Sequence, residues 1–214
     1  MGIDFTFAKA IGLFANGTTT LFASINNIRH HLLDLTKVVP YLVFGIIFAV
    51  LGALSSNYIS ESIVKVLLVL FIFFSLYFMY IGQNQTHEQY RYTNIKAYLF
   101  VSIIAFVGGL IGVGGGIVYL PLFLYFGFKA KESIAITTTL IPFVSFSAFF
   151  TYASFVEFDW ILLTLVGFGA VLGGYFGSNI MHRINNDKLL KVLISIFLVF
   201  LALDMLYINF GGFS

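Results

Sequence analysis

Charged side chains along the chain fall into clusters. Between the clusters lie seven stretches without Asp, Glu, Lys or Arg: residues 10–28, 38–60, 66–86, 97–128, 133–156, 160–181 and 192–203. A helix crossing the hydrocarbon layer needs about 20 residues at 1.5 Å each, so most of these stretches predict spanning helices. The last is short by itself, yet Asp204 is followed by Met205, Leu206 and Tyr207, and residues 189–207 can complete a crossing. Strand-period alternation, the mark of an outer-membrane barrel, is absent. The expected fold class is therefore an all-α polytopic integral membrane protein.

Polar residues inside two of these helices predict which way they face. The first carries Asn16, Thr18, Thr19, Thr20, Ser24, Asn26 and Asn27, and the helix over 133–156 carries Thr137, Thr138, Thr139, Ser145, Ser147 and Thr151. Hydrocarbon satisfies none of these groups, so both polar faces should look inward. Small residues recur at four-residue spacing as Gly45, Ala49 and Ala53, and again as Gly169, Gly173 and Gly177. That spacing predicts close helix packing.

The same features arrive twice in the same order. A threonine triplet is followed by Ala-Val-Leu-Gly, at 49–52 and 170–173, and then by a helix opening on Ile-Val-Lys-Val-Leu at 63–67 or Leu-Leu-Lys-Val-Leu at 189–193. Such order predicts a duplicated unit of three helices. Residues 1–82 form the first repeat, 83–96 a cytoplasmic connector, and 97–214 the second repeat, which alone is preceded by a glycine-rich segment. If residues 97–128 enter the membrane and return to the same side, Arg29, Lys37, Arg91, Lys96, Lys129, Lys131, Arg183, Lys188 and Lys191 share one face, with Lys9 and Lys65 opposite. A single crossing divides the basic residues seven against four. The positive-inside rule selects the hairpin and places the larger group in the cytoplasm. A hairpin plus three crossings turns the second unit upside down relative to the first, an architecture of secondary transporters that bind substrate where broken helices of the two halves meet.

Composition excludes much else. With 60% apolar and 9% charged residues, against roughly 25% charged in soluble domains, the chain's environment is lipid. A net charge of +2 offers no surface for nucleic acid, and the absence of Cys removes disulfides, thiolate metal sites and a cysteine nucleophile. No cofactor is implied. Phe176-Gly-Ser-Asn179 lacks the Gly-x-Ser-x-Gly turn, and no two-histidine metal motif occurs, so no enzyme is expected. Asp4 occupies the place of a signal peptide's basic flank, and the first helix is expected to remain in the mature chain. Ordinary interfacial solvation accounts for His30 and His31 beside the basic connector, with proton coupling as the alternative; Asp204 lies near a helix end.

The candidate chemistry centres on GVGGGIVYLP at 112–121. Four glycines in five positions with a proline beyond break a helix, since each Gly costs about 1 kcal/mol and Pro about 3 in a helix interior. A break at membrane depth must be buried in protein or line a wet cavity. A glycine turn leading into a helix aims backbone N–H groups at one point and suits an anion. A packing hinge at Gly108, Gly112 and Gly116 is the other reading. The threonine hydroxyls could hold a small oxyanion without a fixed charge that traps it, or could bond between helices.

With Phe158-Asp159-Trp160 following the threonine helix, this segment resembles the sulfite exporter TauE/SafE family, closely over 98–207 and more loosely over 10–80. The resemblance implies a bacterial plasma (inner) membrane permease moving small sulfur-containing oxyanions, sulfite or organosulfonates, generally outward. It places Gly112, Gly114, Gly115, Gly116 and Pro121 in the substrate-lining broken segment. It also implies a glycine-proline hairpin ahead of each unit; for the first unit this leaves the expectation of an upstream start, a degenerate member or completion by another subunit. Family members often carry a histidine and a glycine before the aspartate-tryptophan pair, where this chain has Thr151 or a neighbour and Val156. The expectation is alternating access around an anion held by the broken segment and by Thr18, Thr19, Thr20, Thr137, Thr138 and Thr139. Its expected partners are the lipid bilayer and a small anionic substrate, with a homo-oligomer left open. The alternative is a non-transporting membrane protein whose glycines only pack helices.

Overall fold

The computed structural model describes residues 5–29, 35–81, 95–128, 130–157 and 159–183, together with 192, 196, 199 and 200. Most of them fall in seven α-helices and one 3-10 turn: α1 (Phe5–Arg29), α2 (Leu35–Ser55), the turn Ser56–Tyr58, α3 (Glu61–Ile81), α4 (Ile95–Ile111), α5 (Gly116–Tyr125), α6 (Ala130–Ala153) and α7 (Trp160–Arg183). No strand occurs among the described residues. Most of the last predicted helix, Asp204, the histidine pair and most of the connector at 83–96 lie outside them.

Among the described residues four segments are long and apolar enough to cross a membrane: Val38–Tyr58, Glu61–Phe78, Glu132–Ala153 and Trp160–Gly177. The fold is that of a helical membrane protein. Exposed Val66, Leu70 and Phe73 on α3, and Ile161, Leu165 and Phe168 on α7, present apolar surface as helices facing hydrocarbon must. At 25 residues α1 is longer than any of these, about 37 Å at the α-helical rise. Its asparagines, serine and threonines keep it out of that class.

Pairwise contacts fix the helix directions. Ser24 on α1 meets Thr139 on α6, Asn16 meets Ser145, and Phe14 meets Phe149. Rising numbers on one helix match falling numbers on the other, so α1 and α6 run antiparallel. By the same test α7 runs with α1, because Gly167 lies against Phe14 and Gly174 against the Thr19 carbonyl. Likewise α4 runs with α2, since the Tyr98 ring lies 4.7 Å from that of Tyr41 and Gly109 abuts Ala49. Helix α5 runs with α3, through Ser75 to Ile117 and Phe78 to Tyr125. Because a single 3-10 turn reverses α2 into α3, α4 and α5 also run oppositely. Their far ends meet where the rings of Phe100 and Phe126 lie 6.0 Å apart.

Two apolar cores result. Tyr41, Ile104, Tyr119, Phe123 and Leu140 fill the space among α2, α4, α5 and α6. Ala10, Leu13, Ala49, Ala105, Ala148 and Tyr152 fill the crossing of α1, α2, α4 and α6. The small-residue stripe on α2 packs as its spacing predicts, with Ala49 and Ala53 fully buried and Gly45 against Val144. The stripe on α7 differs: Gly169, Gly173 and Gly177 meet nothing among the described residues, and the close contacts are made by Gly167 and Gly174.

Candidate functional site

The chain leaves α4 after Ile111 and enters α5 at Gly116. Between them Gly112, Gly114 and Gly115 take φ of 90°, 67° and 75°, a left-handed region that costs an L-residue about 1–2 kcal/mol. Crowding adds a second reason for glycine. A Cβ on Gly114 would overlap the Ser145 hydroxyl, and one on Gly115 would lie 2.8 Å from the Tyr119 ring.

The turn closes on one carbonyl. The N–H groups of Gly112, Val113 and Gly114 all donate to the oxygen of Gly108, at 3.0, 2.9 and 3.1 Å. In a continuing helix Val113 and Gly114 would donate to Gly109 and Leu110, so those two carbonyls lose their partners. Tyr152 on α6 replaces them, its hydroxyl 3.0 Å from the Gly109 oxygen and 2.9 Å from that of Leu110. Asn16 on α1 donates its amide to the Val113 carbonyl at 3.0 Å and reaches the Ser145 hydroxyl at 3.3 Å. Further along, Pro121 has no N–H for the carbonyl of Ile117. Ser75 on α3, fully buried, donates to that carbonyl at 2.7 Å. Side chains from three helices thus satisfy a backbone that lipid could not.

The predicted site residues separate into groups. Gly112, Gly114, Gly115 and Gly116 form the turn and the first residue of α5, and Pro121 is buried in the middle of α5. The N–H groups of Gly112 and Gly114, expected to aim at an anion, are engaged by Gly108. Those of Gly115, Gly116 and Ile117 take no backbone acceptor among the described residues. Of the threonines, Thr20 donates to the Asn16 carbonyl at 2.6 Å, Thr138 to Ile134 at 2.8 Å and Thr139 to Ala135 at 2.9 Å, all within their own helices. Ser24 also donates to Thr139 across the α1–α6 contact. Thr18 and Thr19 are half-buried, and Thr19 lies where α1 crosses α7. Thr137 is buried with no partner for its hydroxyl among the described residues, and so is Tyr119.

Lys9 and Tyr152 escaped the sequence reading. Lys9, expected among the outside charges, is instead 7% exposed inside the bundle. Its aliphatic stem lies against Gly112, and its ammonium donates to the Ser56 hydroxyl at 2.6 Å. A signal for both existed, since a lysine one turn into a polar helix and a tyrosine at the end of another are amphipathic groups whose polar tips need a partner. Among the described residues no cluster of three or more metal-ligating side chains occurs.

Residues 1–205 match the sulfite exporter TauE/SafE family. A curated relative, a probable membrane transporter protein of Methanocaldococcus jannaschii, is 28% identical over 148 residues, covering 65% of this chain. The chain spans about half the length of that relative, 55% of it. No solved structure matches. A helical membrane bundle with a broken helix at its centre and a family match over nearly its whole length leads to one conclusion: the chain belongs to the sulfite exporter TauE/SafE family of membrane transporters.

Proposed function

We propose that the chain is a plasma-membrane permease exporting small sulfur-containing oxyanions, sulfite or organosulfonates, by alternating access. The observation that carries this reading is the interrupted helix at Gly112–Gly116. It is buried at the centre of the bundle and held by side chains from α1, α3 and α6. Breaks of this kind expose oriented backbone groups where a transporter binds its substrate. The anion would sit at the start of α5, on the N–H groups of Gly115, Gly116 and Ile117, where the helix dipole favours negative charge. Asn16 and Ser145 flank the turn, and on the same helix as Ser145 the buried hydroxyl of Thr137 has no partner among the described residues.

The helix directions support two inverted units. Equivalent helices of inverted units must run oppositely, and α1 against α6 does so. The packing is also reciprocal: α1 lies on α6 and α7, while α6 lies on α1 and α2. An exchange of α1 with α6 and of α2 with α7 maps one set of contacts onto the other. Rocking of one unit against the other would expose the turn to alternate sides, with α4 and α5 entering and leaving from the cytoplasm.

One observation favours a second reading. Because Gly108 engages the N–H groups of Gly112, Val113 and Gly114, much of the turn is self-satisfied, as a hinge that only packs helices requires. Replacing Gly115 by Leu separates the two readings. Its positive φ and the nearby Tyr119 ring leave no room for a side chain. The expected outcome is normal membrane insertion with loss of efflux of labelled sulfite and organosulfonates from vesicles; efflux at the wild-type rate would remove the turn from the mechanism.

A further inference from the structure

Tyr119 is fully buried, yet its hydroxyl has no hydrogen-bond partner among the described residues. A buried polar group in that condition carries its desolvation cost uncompensated, and native structures hold few of them. Phenylalanine would fill the same apolar space without that cost. The ring belongs to the core that contains Ile104, Phe123 and Leu140, so packing explains the ring and leaves the hydroxyl unexplained.

The position of the side chain supplies a reason. Tyr119 stands one turn beyond Gly115, the residue that leads α5, and its N–H donates to the Gly115 carbonyl at 3.2 Å. A helical side chain leans back toward the N-terminus, over the turn before its own Cα. Here the ring carbon that bears the hydroxyl comes within 3.0 Å of the place a Cβ on Gly115 would take. The hydroxyl end of the ring therefore reaches the start of the helix, where the N–H groups of Gly115, Gly116 and Ile117 take no backbone acceptor. These groups do not satisfy one another, since no N–H donates to the Tyr119 oxygen. What the N–H groups and the hydroxyl all lack is an acceptor, and they lack it at the positive end of a helix. An oxyanion brings several acceptor oxygens at once.

We propose that the Tyr119 hydroxyl is a substrate-binding group of the permease, donating to one oxygen of the anion while another rests on the N–H groups at the start of α5. This rests on the transport reading and names the side chain that holds the anion within that site. A hydroxyl donating to an anionic oxygen makes a bond roughly twice as strong as one to a neutral acceptor. It does so without a fixed positive charge that would hold the anion back from release.

Tyr119→Phe removes one oxygen and keeps the ring, and a hydroxyl that holds a ligand differs from one that holds the fold in the sign of its effect on stability. In vesicles containing the purified full chain, efflux of labelled sulfite and of labelled methanesulfonate should show KM raised about tenfold or more, the loss expected of one hydrogen bond to a charged group. In detergent without anion the variant should melt at the wild-type temperature or above it, because an unpaired buried group is gone and no bond is lost. Added sulfite should raise the melting temperature of both, with the variant needing about tenfold more of it. A KM within about twofold of wild type overturns the proposal and leaves the transport reading standing. A variant that melts below wild type without anion, or fails to insert, overturns it too, because the hydroxyl then serves the fold. A wild-type chain that moves neither anion overturns the transport reading, and the role of Tyr119 with it.

Discussion

Ser75 and Pro121 are 46 positions apart and explain one another. Proline removes the N–H that the Ile117 carbonyl would accept, and the serine hydroxyl supplies a donor in its place. Removing that donor leaves a buried carbonyl unsatisfied, a loss of about 1–2 kcal/mol where interhelical bonds in membranes average about 0.6. Ser75→Ala should therefore destabilise the folded chain by about 1–2 kcal/mol. In a Pro121→Ala background, where the backbone N–H is restored, the same substitution should cost close to nothing. A four-point cycle of unfolding free energies in detergent micelles checks this, and equal costs in both backgrounds would mean that Ser75 acts elsewhere. The glycines and the proline announced a break in the sequence because their backbone preferences are local. Which side chains would satisfy the freed carbonyls was not legible, since Tyr152 lies 43 positions from Gly109 and Asn16 lies 97 from Val113. No local rule couples such distances.

At the scale of helices, the repeated Ala-Val-Leu-Gly motif shows where sequence reasoning stops. The motif marks the repeat, the small-residue stripes that run through both copies predicted close packing, and both copies lie on long apolar helices. In the first copy a Cβ on Gly52 would overlap the Phe106 carbonyl; in the second, Gly173 meets nothing among the described residues and its neighbour Gly174 lies against the Thr19 carbonyl. A one-residue shift rotates a helix position by about 100°, so the same motif can point at a neighbour in one copy and away from it in the other. The spacing of small residues fixes that a face exists, while its direction depends on which helix arrives beside it. Gly174→Val should therefore cost about 1–3 kcal/mol or more, because backbone cannot move aside as a side chain can. Gly173→Val should stay within about 0.5 kcal/mol. Thermal unfolding of the two variants in one detergent decides it, and equal loss in both would mean that α7 packs on the other face.

For the molecule as a whole, the charge-free stretches made the helical membrane fold legible, because lipid forces apolar length on every crossing. The pairing of α1 with α6 was not legible, yet the proposed mechanism depends on it. If one unit rocks against the other, this contact must slide or pivot in each cycle. Ser24 and Thr139 face each other across it with their hydroxyl oxygens 3.2 Å apart, a separation that places their β-carbons near the range a disulfide spans. The sequence contains no Cys, so Ser24→Cys with Thr139→Cys provides a single defined pair. Oxidation should form the cross-link within one chain and stop efflux, and reduction should restore it. The transported probe should be a labelled organosulfonate, because sulfite itself cleaves disulfides. Each single variant controls for the loss of the Ser24–Thr139 hydrogen bond, whose absence alone should leave transport largely intact. Full efflux from the cross-linked form would show that α1 and α6 move as one body, placing the moving boundary elsewhere and removing the two-unit rocking mechanism.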